Sequence, residues 1–204
     1  MEYIHEERNM LPKTFCRELI EKFESDSRKA EGLTKGGTVL KIKKCTDLKI
    51  ALYADWELEC NRLDKAFRTA LSKYITNLKL NVFGEDKAHI VDQLFNNPNI
   101  TRSGFLMGRY GVGGNFNWHI DYVPFEESIC NFIIYLNDHE ACTEFLNGKK
   151  IKPEAGKIVI FPTTWAHAHC GQPVEKGNKY IITGFIYHEE ELTQSLLPFT
   201  VTYD

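Results

Sequence analysis

The sequence predicts an α+β protein in which helices come first and brace a β-sandwich or barrel of jelly-roll type. Three observations carry this reading. Up to about residue 100, apolar residues recur at helical spacing. After Thr101 the texture changes to short extended runs. Turn signals such as Gly113-Gly114, Asn137-Asp138, Asn147-Gly148 and Gly177-Asn178 separate those runs. Many short strands at this spacing argue for a closed or double-sheet β architecture. Segregation of helices from strands argues for α+β rather than alternating βαβ units.

Taken in order, Pro12 suits a first helical turn. Phe15, Leu19 and Phe23 follow at helical spacing, so residues 12–25 form an amphipathic helix. Residues 25–37 are polar and carry Gly32 and Gly36-Gly37, the marks of a surface connection. Residues 38–50 mix β-branched residues with lysines and hold one or two strands, with Lys41, Lys43 and Lys44 on a solvated face. Asp55 can cap a long helix reaching about Leu78. Its buried stripe is Leu63, Phe67, Ala70, Leu71, Tyr74 and Leu78. The polar segment from Phe83 through Asn96-Asn97-Pro98-Asn99 includes a loop before the sheet. Strands are expected at 103–110, 115–121, 129–137, 143–147, 157–162, 165–170 and 178–188.

The 204 residues suffice for one sizeable domain, and no linker, repeat or low-complexity tract divides them. A net charge of −3 gives no electrostatic reason to expect nucleic acid or a bilayer as partner. No apolar run approaches membrane-spanning length, and the charged N-terminus lacks a signal core. The six cysteines are scattered, with no CxxC pair, which argues for free thiols in a cytoplasmic setting. Cys130, Cys142 and Cys170 read as small core residues. Gly111-x-Gly113-Gly114 lacks the following helix that phosphate binding needs.

The chemistry concentrates in Tyr110–Asp121, YGVGGNFNWHID. Successive strand side chains alternate faces. Asn115, Asn117, His119 and Asp121 therefore share one face, and Phe116, Trp118 and Ile120 the other. An imidazole and a carboxylate two residues apart supply two of the three ligands of a 2-His-1-carboxylate site, which leaves positions on Fe(II) open. The third ligand lies downstream. His167 and His169 have the same parity, so alternation alone does not choose between them; His139 and His188 are weaker candidates.

From about Gly104 to His188 the chain resembles the Fe(II)/2-oxoglutarate-dependent oxygenases, and within them the prolyl-4-hydroxylase-like group. The matching residues are Tyr110, His119-Ile120-Asp121, Tyr135-Leu136-Asn137, Thr143-Glu144-Phe145 and Pro153-Glu154-Ala155-Gly156 leading to Phe161. His169 four residues before Pro173-Val174, and then Gly177-Asn178-Lys179-Tyr180, complete the match. The resemblance implies His119, Asp121 and His169 as metal ligands and catalytic residues, with His167 beside them. It implies Lys179 as anchor of the far carboxylate of 2-oxoglutarate, with Tyr110 and Thr143 hydrogen-bonding the same group. A buried ammonium does need such an anion. Two positions depart from the pattern. Ala141-Cys142 stand where Gly-Gly is usual, and Phe185 stands where Trp is common; both bear on the substrate side.

The expectation is one domain over 1–204: helical support over about 1–100, and a double-stranded β-helix (jelly-roll) core over about 101–204. The resemblance implies a dioxygenase using Fe(II), 2-oxoglutarate as cosubstrate and O2, with room for ascorbate, that releases succinate and CO2. Its implied substrate is peptidyl proline. A peptide or protein side chain is favoured, while a base or small metabolite stays open. The other reading, a catalytically silent jelly roll that binds metal or sugar, has no use for Lys179.

Overall fold

The structure, a computed structural model, describes residues 3–32, 42–96, 100–121 and 128–188. The Gly36-Gly37 signal, Lys41 and Asn97-Pro98-Asn99 lie outside these residues. In chain order the elements are β1 (His5–Glu7), α1 (Lys13–Ser25), β2 (Ala30–Glu31), β3 (Lys43–Lys44), β4 (Thr46–Leu48), α2 (Glu57–Asn77) and α3 (Ala88–Phe95). The remaining strands are β5 (Ile100–Arg102), β6 (Leu106–Tyr110), β7 (Asn115–His119), β8 (Ser128–Tyr135), β9 (Thr143–Phe145), β10 (Lys150–Ile151), β11 (Ile158–Pro162), β12 (His169–Gly171) and β13 (Lys179–His188).

Two antiparallel sheets face each other. The larger runs β1-β11-β8-β13-β6-β4-β2, with β5 also on β13; the smaller runs β10-β9-β12-β7-β3. From β6 to β9 and again from β11 to β13, successive strands switch sheets. That crossing makes the jelly roll. The fold is therefore α+β, as the sequence predicts.

The larger sheet is buried on both faces, which explains the near-continuous apolar run SICNFIIY of β8. Phe132 and Ile134 point to the helices, while Ile133 and Tyr135 point between the sheets. Helix α1 contributes Phe15, Cys16, Leu19 and Phe23 to the outer core; α2 contributes Leu63, Ala66, Phe67, Ala70 and Tyr74. Phe132, fully buried, meets the Phe67 ring at 4.4 Å and Phe105 at 5.9 Å. Phe132→Ala is expected to cost about 3–5 kcal/mol, the usual loss for a buried phenylalanine. Urea unfolding of the purified variant measures it.

Several expectations need correction. The one or two strands expected in residues 38–50 are β3 and β4, but β1 (His5–Glu7) and β2 (Ala30–Glu31) were not expected and also join the large sheet. The segment from Phe83 onward, expected only to include a loop, also contains α3, which buries Val91 and Phe95 at i, i+4. A π-helical segment, Leu78–Phe83, continues α2 toward it. Asp55 does not cap α2. A short 3-10 turn, Ala54–Trp56, precedes the helix, and the Asp55 carboxylate pairs with Arg28 at 2.7 Å. Leu71 lies at the edge of the core rather than in it. The strand expected at 165–170 begins only at His169, because residues Trp165–His167 form a 3-10 turn. Lys43 is not on a solvated face: it is 6% exposed and pairs with Asp47 at 2.5 Å. Cys142 is half-buried rather than core, whereas Cys130 and Cys170 are buried.

Candidate metal and cosubstrate site

His119 ends β7, Asp121 follows it, and His169 opens β12. In the small sheet His119 and His169 stand directly opposite. One ligand atom from each of His119, Asp121 and His169 lies within 4.8 Å of the others. Nε2 of His119 is 3.6 Å from Asp121 Oδ1, and Nε2 of His169 is 3.7 Å from Asp121 Oδ2.

The backbone orients both rings. His119 Nδ1 is 2.8 Å from the Asn117 carbonyl, and His169 Nδ1 is 3.1 Å from the His167 carbonyl. A carbonyl only accepts, so each Nδ1 carries the proton and each Nε2 keeps its lone pair for the shared space. Burial holds both imidazoles neutral, with pKa values lowered to about 4. Burial also raises the Asp121 pKa. Two neutral imidazoles and a carboxylate converging on one point are the donor set of a divalent ion with open positions. These residues fit Fe(II).

One local feature defeats simple alternation. Between β12 and β7, His169 pairs with His119 but Gly171 pairs with Phe116. Two steps on β12 thus match three on β7, a β-bulge. The bulge turns Phe116 to the same side as His119, where the rings stack at 3.6 Å and 10°. Asn115 and Asn117 leave the ligand face and bond to each other at 2.6 Å. Trp118 and Ile120, on the face away from the ligands, are exposed. Phe145 and Phe161 close around His169 at 5.4 and 4.9 Å.

The second cluster lies two residues along β12. Lys179, only 3% exposed, pairs in register with Tyr110 on β6, and its Nζ is 5.2 Å from the Tyr110 ring centroid. Nζ donates to the Ala141 carbonyl at 3.2 Å, and among the described residues no carboxylate pairs with it. Burial lowers its pKa from 10.5 to about 8. Gly171 leaves room beside the ammonium: a Cβ there would stand 3.6 Å from Nζ. His169 and Gly171 lie on one face of β12, roughly 6–7 Å apart, a gap that a five-carbon dicarboxylate bridges. Thr143 stands opposite Gly171. Its Oγ1 accepts a 2.7 Å bond from the Tyr135 hydroxyl, which leaves the threonine proton free to donate elsewhere. Burial, with Cys45 and Asp47 nearby, raises the Tyr110 pKa well above 10 and keeps that phenol neutral. A buried ammonium that no carboxylate pairs with among the described residues fits the far carboxylate of 2-oxoglutarate.

The structure thus gathers His119, Asp121 and His169 in one cluster and Lys179, Tyr110 and Thr143 in the adjacent one. His167 is not in the first cluster: its Nδ1 is 2.9 Å from Thr164 Oγ1. Phe116, Tyr135 and Asn131, which donates to Asp121 at 2.6 Å, were missed by sequence reasoning as site residues. Alternation along SICNFIIY, counted from Tyr135, could have placed Asn131 indoors. A surface groove of about 940 Å³, lined in part by Lys13, Asp138 and Lys152, contains none of the six.

Comparison with known proteins agrees with this geometry. The profile of the 2OG-Fe(II) oxygenase superfamily matches residues 105–187. A PKHD-type hydroxylase of Prochlorococcus marinus (strain NATL1A) is 30% identical over 126 residues, 54% of this chain and 55% of that protein. A second, from strain MIT 9313, is 29% identical over 92 residues, 41% of each. The chain therefore spans about half the length of these relatives or less. Among solved structures, a viral collagen prolyl hydroxylase from Paramecium Bursaria Chlorella virus-1 superposes with TM-score 0.65 at 19% identity, covering 92% of this chain and 97% of that one. A prolyl hydroxylase from Trichoplax adhaerens gives 0.67 at 16% identity, covering 91% and 83%. These last two likenesses establish the fold. With the donor geometry beside it, the profile match marks residues 105–187 as similar to the 2OG-Fe(II) oxygenase superfamily.

Proposed function

We propose that the protein is an Fe(II)- and 2-oxoglutarate-dependent dioxygenase that hydroxylates a peptide or protein side chain, with peptidyl proline as the leading substrate class, and that residues 1–204 form one such domain. The observation that carries this is the pairing of the two clusters: a three-donor metal site and, beside Gly171 two residues on from His169, a buried lysine of β13 that no carboxylate pairs with among the described residues. A simple metal- or sugar-binding module needs only the first. The substrate class rests on the solved neighbours named as prolyl hydroxylases, one of them in complex with a peptide fragment. A cytosolic setting agrees with the six free cysteines. No helix among the described residues is long and apolar enough to cross a membrane.

His119 and His169 offer neutral Nε2 lone pairs, and Asp121 offers the charge that balances the ion. Phe116 and Phe161 fix the imidazole planes. Lys179 takes the far carboxylate of the cosubstrate, and Thr143, held by Tyr135, donates to it. When bound, Fe(II) and 2-oxoglutarate supply the oxidative chemistry, in which decarboxylation to succinate and CO2 accompanies delivery of one oxygen atom to a C–H bond. Lys179 is itself buried, so the charge pair it forms acts at low dielectric. The test is incubation of the iron-loaded protein with a proline-containing peptide panel. A peptide gaining one oxygen atom, dependent on 2-oxoglutarate, is expected. Hydroxylation of only non-prolyl residues would overturn the substrate class.

Lys179 also sets a pH dependence. Without an anion it releases its proton at about 8; with the dicarboxylate beside it the proton is held to higher pH. Cosubstrate affinity should therefore be level below pH 8 and fall above it, approaching about tenfold per pH unit. The sign for stability is opposite. Between pH 8 and 10.5 the unfolded chain retains the proton that the folded chain has lost, so the cosubstrate-free protein gains stability as pH rises. Titrations and melts of wild type and Lys179→Met check both slopes, and the variant should show neither.

A further inference from the structure

We propose that Asn131 is a positioning residue that commits one oxygen of Asp121, so that this carboxylate meets the metal through the other oxygen alone and a coordination position stays open. The proposal rests on reading His119, Asp121 and His169 as a metal site.

The two carboxylate oxygens are otherwise equivalent. Oδ1 is 3.6 Å from the nearer imidazole nitrogen of His119, and Oδ2 is 3.7 Å from that of His169. A carboxylate placed so evenly can straddle an ion with both oxygens, as carboxylates do where the site is permissive. Doing so would use a position that an oxygenase must leave for cosubstrate or oxygen. Asn131 breaks the symmetry: its Nδ2 donates to Oδ2 at 2.6 Å. The bond crosses from the large sheet, where Asn131 sits in β8, to the segment just after β7 in the small one.

The setting of Asn131 shows that packing does not require an amide there. It is 4% exposed and stands in register between Phe161 on β11 and Phe185 on β13. Its Oδ1 is buried and has no partner among the described residues. Flipping the amide would set that oxygen against the carboxylate and strand the NH2 instead, so the orientation follows from the charge on Asp121. A buried acceptor without a donor costs about 1–3 kcal/mol. An aliphatic side chain of the same shape would avoid that cost. Among the described residues, the one contact the amide makes that leucine cannot is the bond to Asp121.

The experiment uses Co(II), whose ligand-field absorption reports coordination and needs no turnover. Wild type, Asn131→Leu and Asn131→Ser are titrated with Co(II), then with 2-oxoglutarate at saturating Co(II), and melted without metal. Leucine matches the asparagine in shape, and serine is too short to clash or to reach Asp121, so at least one variant folds. The expected result is a Co(II) spectrum altered before cosubstrate is added, together with 2-oxoglutarate affinity lowered roughly tenfold or more. Unaltered spectra with wild-type 2-oxoglutarate affinity would overturn the proposal. So would weaker Co(II) binding with unchanged cosubstrate affinity, which is mere structural support. A wild-type protein that takes up no Co(II) would refute the metal-site reading itself, and this proposal with it.

Discussion

Replacing His119, Asp121 or His169 with alanine is expected to abolish iron-dependent turnover and to weaken Fe(II) more than about a hundredfold, beyond what the loss of a merely supporting residue costs. Each substitution removes one of three donors, and the remaining two no longer define a site. His167→Ala is the control. Its ring bonds to Thr164, and only its backbone carbonyl, which alanine retains, orients His169. Iron affinity in His167→Ala should stay near wild type. The measurement is anaerobic Fe(II) titration of the four variants. Retention of iron by His169→Ala with loss in His167→Ala would reverse the assignment of the distal ligand.

Lys179→Ala is expected to leave Fe(II) affinity unchanged and to weaken 2-oxoglutarate by about tenfold or more. Charge-assisted hydrogen bonds contribute about 1.5–3 kcal/mol, and about 1.4 kcal/mol is a decade in affinity. The ammonium is buried 5.2 Å from the Tyr110 ring centroid and, among the described residues, hydrogen-bonds the Ala141 carbonyl and no carboxylate, so an arriving carboxylate displaces little. Lys179→Arg should do less damage: it keeps the charge but has to fit a planar fork beside Gly171. Sequential titrations with Fe(II) and 2-oxoglutarate under nitrogen separate the two effects. Unchanged 2-oxoglutarate affinity in Lys179→Ala would remove the main distinction between an oxygenase and a binding module.

Much of this candidate site was legible in the sequence because its residues follow local rules. His119 and Asp121 are two residues apart on an extended segment, and that spacing survives in the fold. The helical stripes of α1 and α2 were legible for the same reason, since 3.6-residue periodicity is a local property. What escaped depends on contacts between distant segments. The bulge in β7 arises from pairing with β12, and no feature of YGVGGNFNWHID alone announces that Phe116 changes sides. Lys43 looked solvated because two neighbouring lysines disguised a residue that pairs with Asp47 four positions on. Helix α3 was hidden by its length of eight residues and by the asparagines after it. The choice of His169 over His167 was not available from parity. It came from the resemblance, and the 3-10 turn at Trp165–His167 gives the physical reason: His167 precedes the strand, so alternation never applied to it.

The most direct test of the central claim is succinate formation by the iron-loaded protein given 2-oxoglutarate, oxygen and ascorbate, with Asp121→Ala run alongside. Succinate above the level of Asp121→Ala, dependent on both Fe(II) and oxygen, is the expected result. Succinate no higher than in Asp121→Ala, from a protein that demonstrably binds iron and 2-oxoglutarate, would contradict it.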